Sequence, residues 1–175
     1  IAAFKALNKV RVINAFGAAL KGSFLKSHEK LQNVEDINIG FNPIAAENLQ
    51  YLSKLPKLKA LCLTDSTLDD NGLRYLTGLS NLQSLQLAGM RKITDKSVPV
   101  LAHMTGLLSL DVRNSSISFN GICALKNLKL TSICLPPHSY PPQELATIRK
   151  LFPKTLLSFA GTVGDETKSY FAPIK

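Results

Sequence analysis

The chain has 175 residues, 45% of them hydrophobic and 19% charged, and 21 Lys and Arg against 12 Asp and Glu give a formal net charge of +9. That is too apolar for intrinsic disorder and long enough for one domain with a real core, while no apolar run reaches the roughly 18–20 residues of a membrane-spanning helix. Three cysteines are too few for a disulfide-stapled scaffold, and their odd number favours a reducing compartment such as the cytoplasm.

At the N-terminus, Lys5, Lys9 and Arg11 interrupt an otherwise apolar stretch, which does not read as a secretory leader. From Val10 onward one pattern recurs. Leu58, Leu61 and Leu63 have the spacing L-x-x-L-x-L, repeated as Leu82, Leu85, Leu87, as Leu107, Leu110, Val112, and as Leu130, Ile133, Leu135. Earlier copies are Val34, Ile37, Ile39 and, more faintly, Val10, Ile13, Ala15. The six starts lie at 10, 34, 58, 82, 107 and 130, a register of 23 to 25 residues. Each unit carries a second apolar set further on, such as Ile44, Leu49, Leu52 and Leu55, or Leu68, Leu73, Leu76 and Leu79. A spacing of two predicts a short strand and a spacing of three a helical face, so each unit is strand, turn, short helix, turn. Such a unit cannot bury its own apolar face and must stack on its neighbours.

The same register, extended backward, puts Ile1, Phe4 and Leu7 on the helical positions of a preceding repeat. Residues 1–9 are therefore expected to be the helical half of an interrupted unit, within a fragment of a longer protein. Residues 10–135 hold the six units, and 136–175 are expected to form a C-terminal cap. In that cap a proline-rich run precedes a helix over Gln143–Leu151, then a last strand over Leu156–Phe159, then a polar tail.

These units resemble the leucine-rich repeat. Leu68–Leu73 and Ile93–Val98 are similar to the I-T-D-x-G-L turn of a subclass found in bacterial arrays and F-box substrate adaptors. The resemblance implies an α/β fold, a right-handed horseshoe solenoid with a parallel sheet on its concave face and short helices on the convex one. It also implies protein recognition as the usual role. The family's ladder asparagine is kept only at Asn42; Ala18, Ser66, Met90, Ser115 and His138 take its place elsewhere, which predicts irregular turns at Ala18 and Met90.

In this architecture the residues flanking and separating the strand leucines line the groove. Its charged members are Arg11, Glu35, Asp36, Lys59, Asp65, Asp111 and Arg113, three positive and four negative. The positive excess is scattered over helices and turns instead, which argues against a phosphate-binding track and hence against nucleic acid. The tightest basic group, Arg91, Lys92 and Lys96, leaves contact with an anionic surface as a weaker alternative. With Asn14, Asn38, Phe41, Gln83 and Gln86, the groove residues make a mixed polar surface suited to a protein or peptide, with Phe16 and Phe41 near one end either exposed as aromatic anchors or tucked into the turn as packing.

No catalytic constellation is expected. His28 stands at a helical apolar position, His103 on a helix and His138 in the proline run, none in register with a nucleophile. Asp69 and Asp70 precede a helix and read as capping carboxylates. Cys62 and Cys134 fall at solvent-facing strand positions three strands apart, about 14 Å, too far for a disulfide, and no pair has metal-ligand spacing. No cofactor or metal is expected. The function read from the residues is a non-catalytic recognition scaffold. The alternative is the targeting or substrate-recognition domain of an enzyme, a ubiquitin-ligase adaptor, kinase or bacterial effector, whose catalytic part lies outside this chain.

Overall fold

The computed structural model describes residues 9–136 and 140–159. The expectations for residues 1–8, for His138 and for the tail after Phe159 lie outside the described residues. Seven parallel strands follow one another in chain order in a single sheet: β1 (Val12–Asn14), β2 (Asp36–Asn38), β3 (Ala60–Cys62), β4 (Ser84–Gln86), β5 (Ser109–Asp111), β6 (Ser132–Leu135) and β7 (Leu156–Phe159). Register is constant along the sheet: Ile13 pairs with Ile37, Ile37 with Leu61, Leu61 with Leu85, Leu85 with Leu110, and Leu110 with Ile133. Identical spacing in sequence thus becomes identical height in space. Each strand is only three or four residues long because two inward side chains suffice to seat it on the core.

Ile37, Leu61, Leu85, Leu110 and Ile133 are all at most 1% exposed, as are Ile39, Leu63, Leu87, Val112 and Leu135. They meet the helical-side residues Leu49, Leu52, Leu73, Leu76, Leu101, Ile122 and Leu125, equally buried, in one continuous core. The last helix is Pro142–Leu151, and β7 extends the sheet beside β6.

The segments opposite the sheet differ in helix type, which the apolar spacing does not resolve. Units one and two carry 3-10 helices, Ser23–Lys30 and Ala46–Lys54, preceded by Gly22 and Ala45, neither of which supplies a side-chain cap. Asp70–Leu73 and Phe119–Ala124 are α-helical, and there Asp69 and Ser118 accept the backbone N–H of Gly72 and Gly121. In the lengthened unit Thr94 caps a 3-10 turn, Asp95–Ser97, that runs into the α-helix Val98–His103. The cap alone does not set the helix type, since capped Asp95–Ser97 is a 3-10 turn and uncapped Pro142–Leu151 is α-helical.

The cap positions also join repeats. Asp69 caps its own helix, but Asp70 reaches the next unit, accepting from the Thr94 N–H at 2.8 Å and the Thr94 hydroxyl at 2.7 Å, and from Ser97. Asp95 does the same one unit on, accepting from the Ser118 N–H at 2.8 Å and hydroxyl at 2.6 Å. Only the first of the two adjacent carboxylates is therefore a helix cap. Partial burial opposes ionisation of Asp70, but the donors Ser97 and Thr94 outweigh it and hold its pKa below the ordinary value.

Two turn expectations come out differently. The Met90 turn is regular: Met90 is buried, and its N–H bonds the Leu87 carbonyl at 3.3 Å as Ser66 N–H bonds Leu63 at 3.1 Å. Around Ala18 the chain does depart from the others, with additional left-handed backbone at Ala19 and Gly22. Asn42 repairs that corner. It is 2% exposed, accepts from the Leu20 N–H at 2.8 Å and donates to the carbonyls of Ala15, Ile39 and Gly40 at 2.8–3.0 Å.

Candidate groove on the sheet

The strand residues between the buried leucines form two rows across the sheet's outer face. One runs Val12, Asp36, Ala60, Ser84, Ser109, Ser132, Leu156, and the other Asn14, Asn38, Cys62, Gln86, Asp111, Cys134, Ser158. Most of these side chains are short, so the floor is shallow, and charge collects at its edges.

At the edge where the strands begin, Glu35 bridges Arg11 at 2.6 Å and Lys59 at 3.1 Å. Hydrogen bonds from Lys59 and Arg11 hold the Glu35 carboxyl below its usual pKa. Three of the expected site residues therefore neutralise one another in part, leaving one positive charge. Asp111 and Arg113 also pair, at 2.7 Å, and Asp111 accepts the Arg113 N–H at 3.0 Å. Asn14 and Asn38 make the same local turn, accepting from the N–H of Phe16 at 3.4 Å and Gly40 at 3.2 Å. These side chains bond the backbone two residues on, as Asn and Asp do in turns, and so shape the strand exits.

Two acceptors are left over. Asp36 Oδ1 and Gln83 Oε1 are buried with no hydrogen-bond partner among the described residues, and burial raises the Asp36 pKa. Gln86 is half-buried beside Asp111 in the second row.

The thiols are more enclosed than a solvent-facing position implies. Cys62 is 3% and Cys134 8% exposed, because neighbouring rows close over so short a side chain. Both are free, as their separation requires. The Ser158 hydroxyl donates to Cys134 Sγ at 2.9 Å, but burial dominates and raises the thiol pKa. His28 is half-buried and stacks on Tyr51 with ring centroids 5.5 Å apart, in the packing role its position predicts. Among the described residues no group of three His, Cys, Asp or Glu side chains could hold a metal ion. A cleft of about 140 Å³ beside β1, lined by Ile13, Ala15, Leu20, Gly22, Ser23 and Phe24, is smaller than the ~300 Å³ at which small-molecule sites begin.

At the opposite edge, where the strands end, one backbone feature recurs. Gly17, Phe41, Asp65, Gly89 and Asn114 hold equivalent places, and all have positive φ, between 50° and 76°. Glycine and asparagine adopt that conformation readily; phenylalanine does not. Phe41 is nevertheless 53% exposed, and it meets Phe16, itself 51% exposed, with ring centroids 4.8 Å apart. Their place after the strand leucines puts both aromatics near the groove, but the local preference of phenylalanine gives no sign of the backbone conformation. Aligning the units shows it, since glycine or asparagine fills that place in three of five.

No protein-family model and no curated protein matches the sequence. Among solved structures, a leucine-rich-repeat protein of Leptospira interrogans aligns over 90% of this chain with a TM-score of 0.53 at 19% identity. The chain has the leucine-rich-repeat fold. An internalin of Listeria monocytogenes aligns over 89% of the chain with a TM-score of 0.45 at 16% identity. This leucine-rich-repeat array spans 38% of the length of the Leptospira protein and 56% of that of the internalin. The outer face of its sheet is the concave surface of the fold, as the L-x-L register predicts, and the 3-10 and α-helical segments lie on the other side of the core. No described helix is long and apolar enough to cross a membrane.

Proposed function

We propose that this array is a non-catalytic recognition module that holds a protein or peptide against the outer face of its sheet. The observation that supports this most directly is the pair of buried acceptors without donors, Asp36 Oδ1 and Gln83 Oε1, on a sheet face that the described residues leave uncovered. A buried acceptor without a donor is unfavourable by about 1–3 kcal/mol, and an incoming backbone or side-chain N–H relieves that penalty. The short side chains of the floor, Ala60, Ser84 and Ser109, allow a partner's main chain to come close. Nucleic acid fits poorly, because the groove's cations are engaged: Arg11 and Lys59 with Glu35, and Arg113 with Asp111.

The test is affinity capture with the wild-type array beside a Ser84→Arg, Gln86→Arg variant matched in thermal stability. Both positions lie on the outer face and neither side chain is part of the core. A partner retained by the wild type and lost by the variant supports the groove. Equal retention of the same partner on both moves recognition to another face.

A further inference from the structure

The ledge where the first strands end is built for one kind of contact. Phe41 combines two unfavourable features, an aromatic ring half in water and a left-handed backbone at φ 54°. Neither helps the fold, since glycine or asparagine would serve at that place, as Gly17, Gly89 and Asn114 do. A residue that is unfavourable on both counts points to a role outside folding. The ring is also held in place. Phe16 lies against it at 4.8 Å, and Phe16 in turn rests on Gly40, where a Cβ would stand 3.2 Å from the Phe16 ring and 3.0 Å from the Thr64 carbonyl oxygen. The aromatic pair is therefore a preformed surface.

One repeat further along, about 4.8 Å at strand spacing, comes Asp65, with the same backbone conformation at φ 50°. Its carboxylate lies over Gly89, in the space that a Cβ there would fill. Asp65 is exposed and among the described residues no hydrogen bond or ion pair reaches its side chain, while the groove's cations Arg11, Lys59 and Arg113 are engaged by Glu35 and Asp111. The ledge thus offers two aromatic faces and an unbalanced carboxylate within reach of one another. A guanidinium meets both demands: it stacks on an aromatic face within about 6 Å of the centroid and donates in plane to a carboxylate.

We propose that Phe16, Phe41 and Asp65 form an anchor site for an arginine side chain of the partner. This rests on the groove reading above and adds the chemical identity of the partner's main contact. The experiment titrates ¹⁵N-labelled array with acetyl-Ala-Arg-Ala-amide and with the same peptide carrying citrulline, the uncharged isostere. The arginine peptide is expected to shift the amides of Gly17, Phe41 and Asp65 and the citrulline peptide to bind about five- to tenfold more weakly. Asp65→Asn should weaken arginine binding by a similar factor. Phe41→Asn, which copies the residue at position 114, should abolish it while leaving the thermal midpoint nearly unchanged; Asp65→Asn alone carries the test if that variant does not fold. Equal shifts from both peptides, or shifts centred on Asp36 with none at residues 41 and 65, overturn the proposal. Loss of partner in the Ser84→Arg, Gln86→Arg variant together with no arginine response at the ledge would refute the anchor and leave the groove standing.

Discussion

Replacing Asn42 with alanine removes the side-chain hydrogen bonds at the junction of the first two repeats. Its Oδ1 accepts from the Leu20 N–H, and its two amide hydrogens are shared among the carbonyls of Ala15, Ile39 and Gly40. At about 1 kcal/mol for the accepted bond and for each of the two donated hydrogens the sum is near 3 kcal/mol, with a further penalty for any group left buried and unpaired. Two features reduce it. The Gly40 carbonyl also accepts from the Gly17 N–H at 3.0 Å, and Leu20 is only half-buried, so water can reach part of the gap. The expected loss is therefore about 2 kcal/mol, with Asn42→Ser intermediate because a hydroxyl can keep one contact. Urea unfolding followed by circular dichroism measures the change, and hydrogen exchange at the Leu20 amide locates it. The local probe matters because stacked repeats can open from one end without global unfolding. A loss below about 1 kcal/mol with unchanged Leu20 protection would refute the view that this side chain holds the corner together.

Asp70 and Asp36 should show opposite pH behaviour. The folded pKa of Asp70 is lowered, so its contribution is present above the unfolded value near 3.9 and is lost as pH falls through the folded pKa; the stability gap between wild type and Asp70→Asn should close in acid. The folded pKa of Asp36 is raised by burial, so ionisation works against the fold as pH rises through it, and Asp36→Asn should gain on the wild type from acid to neutral pH in the same urea series. A gap independent of pH for either variant contradicts the assignment. Gly106→Ala should lower stability by about 1–3 kcal/mol, because the new Cβ would run into the Ser80 backbone carbonyl, which has no flexible end to move aside. A thermal midpoint unchanged within a degree would mean that the 105–107 turn shifts freely. In a thiol-labelling time course at pH 8, half-buried Cys123 should react before Cys62 and Cys134, and all three should react together in denaturant. Native Cys134 labelling at the denatured rate would show that its burial is not maintained.

Fold class, strand positions and nearly every core residue follow from the sequence alone, for a physical reason. In a stacked array, equal spacing along the chain imposes equal height in space, so a hydrophobic residue's place in its own repeat already decides whether it faces in. Leu61, Leu85 and Leu110 needed nothing more to be assigned, and the outward rows followed by alternation. What the spacing could not carry was contact between repeats. Whether Asp70 caps its own helix or bridges to Thr94, whether Glu35 stands alone or between Arg11 and Lys59, and whether Cys62 meets solvent all depend on side chains 24 residues away in the chain. The left-handed step at Phe41 was hidden for a related reason. Local preference at a phenylalanine opposes it, and contacts set by neighbouring strands, among them the hydrogen bond from the Phe41 N–H to the Thr64 carbonyl at 2.7 Å, hold the chain in that conformation. Periodicity along the chain determined the scaffold, and packing between neighbouring repeats decided which of its outward residues remain available to a partner.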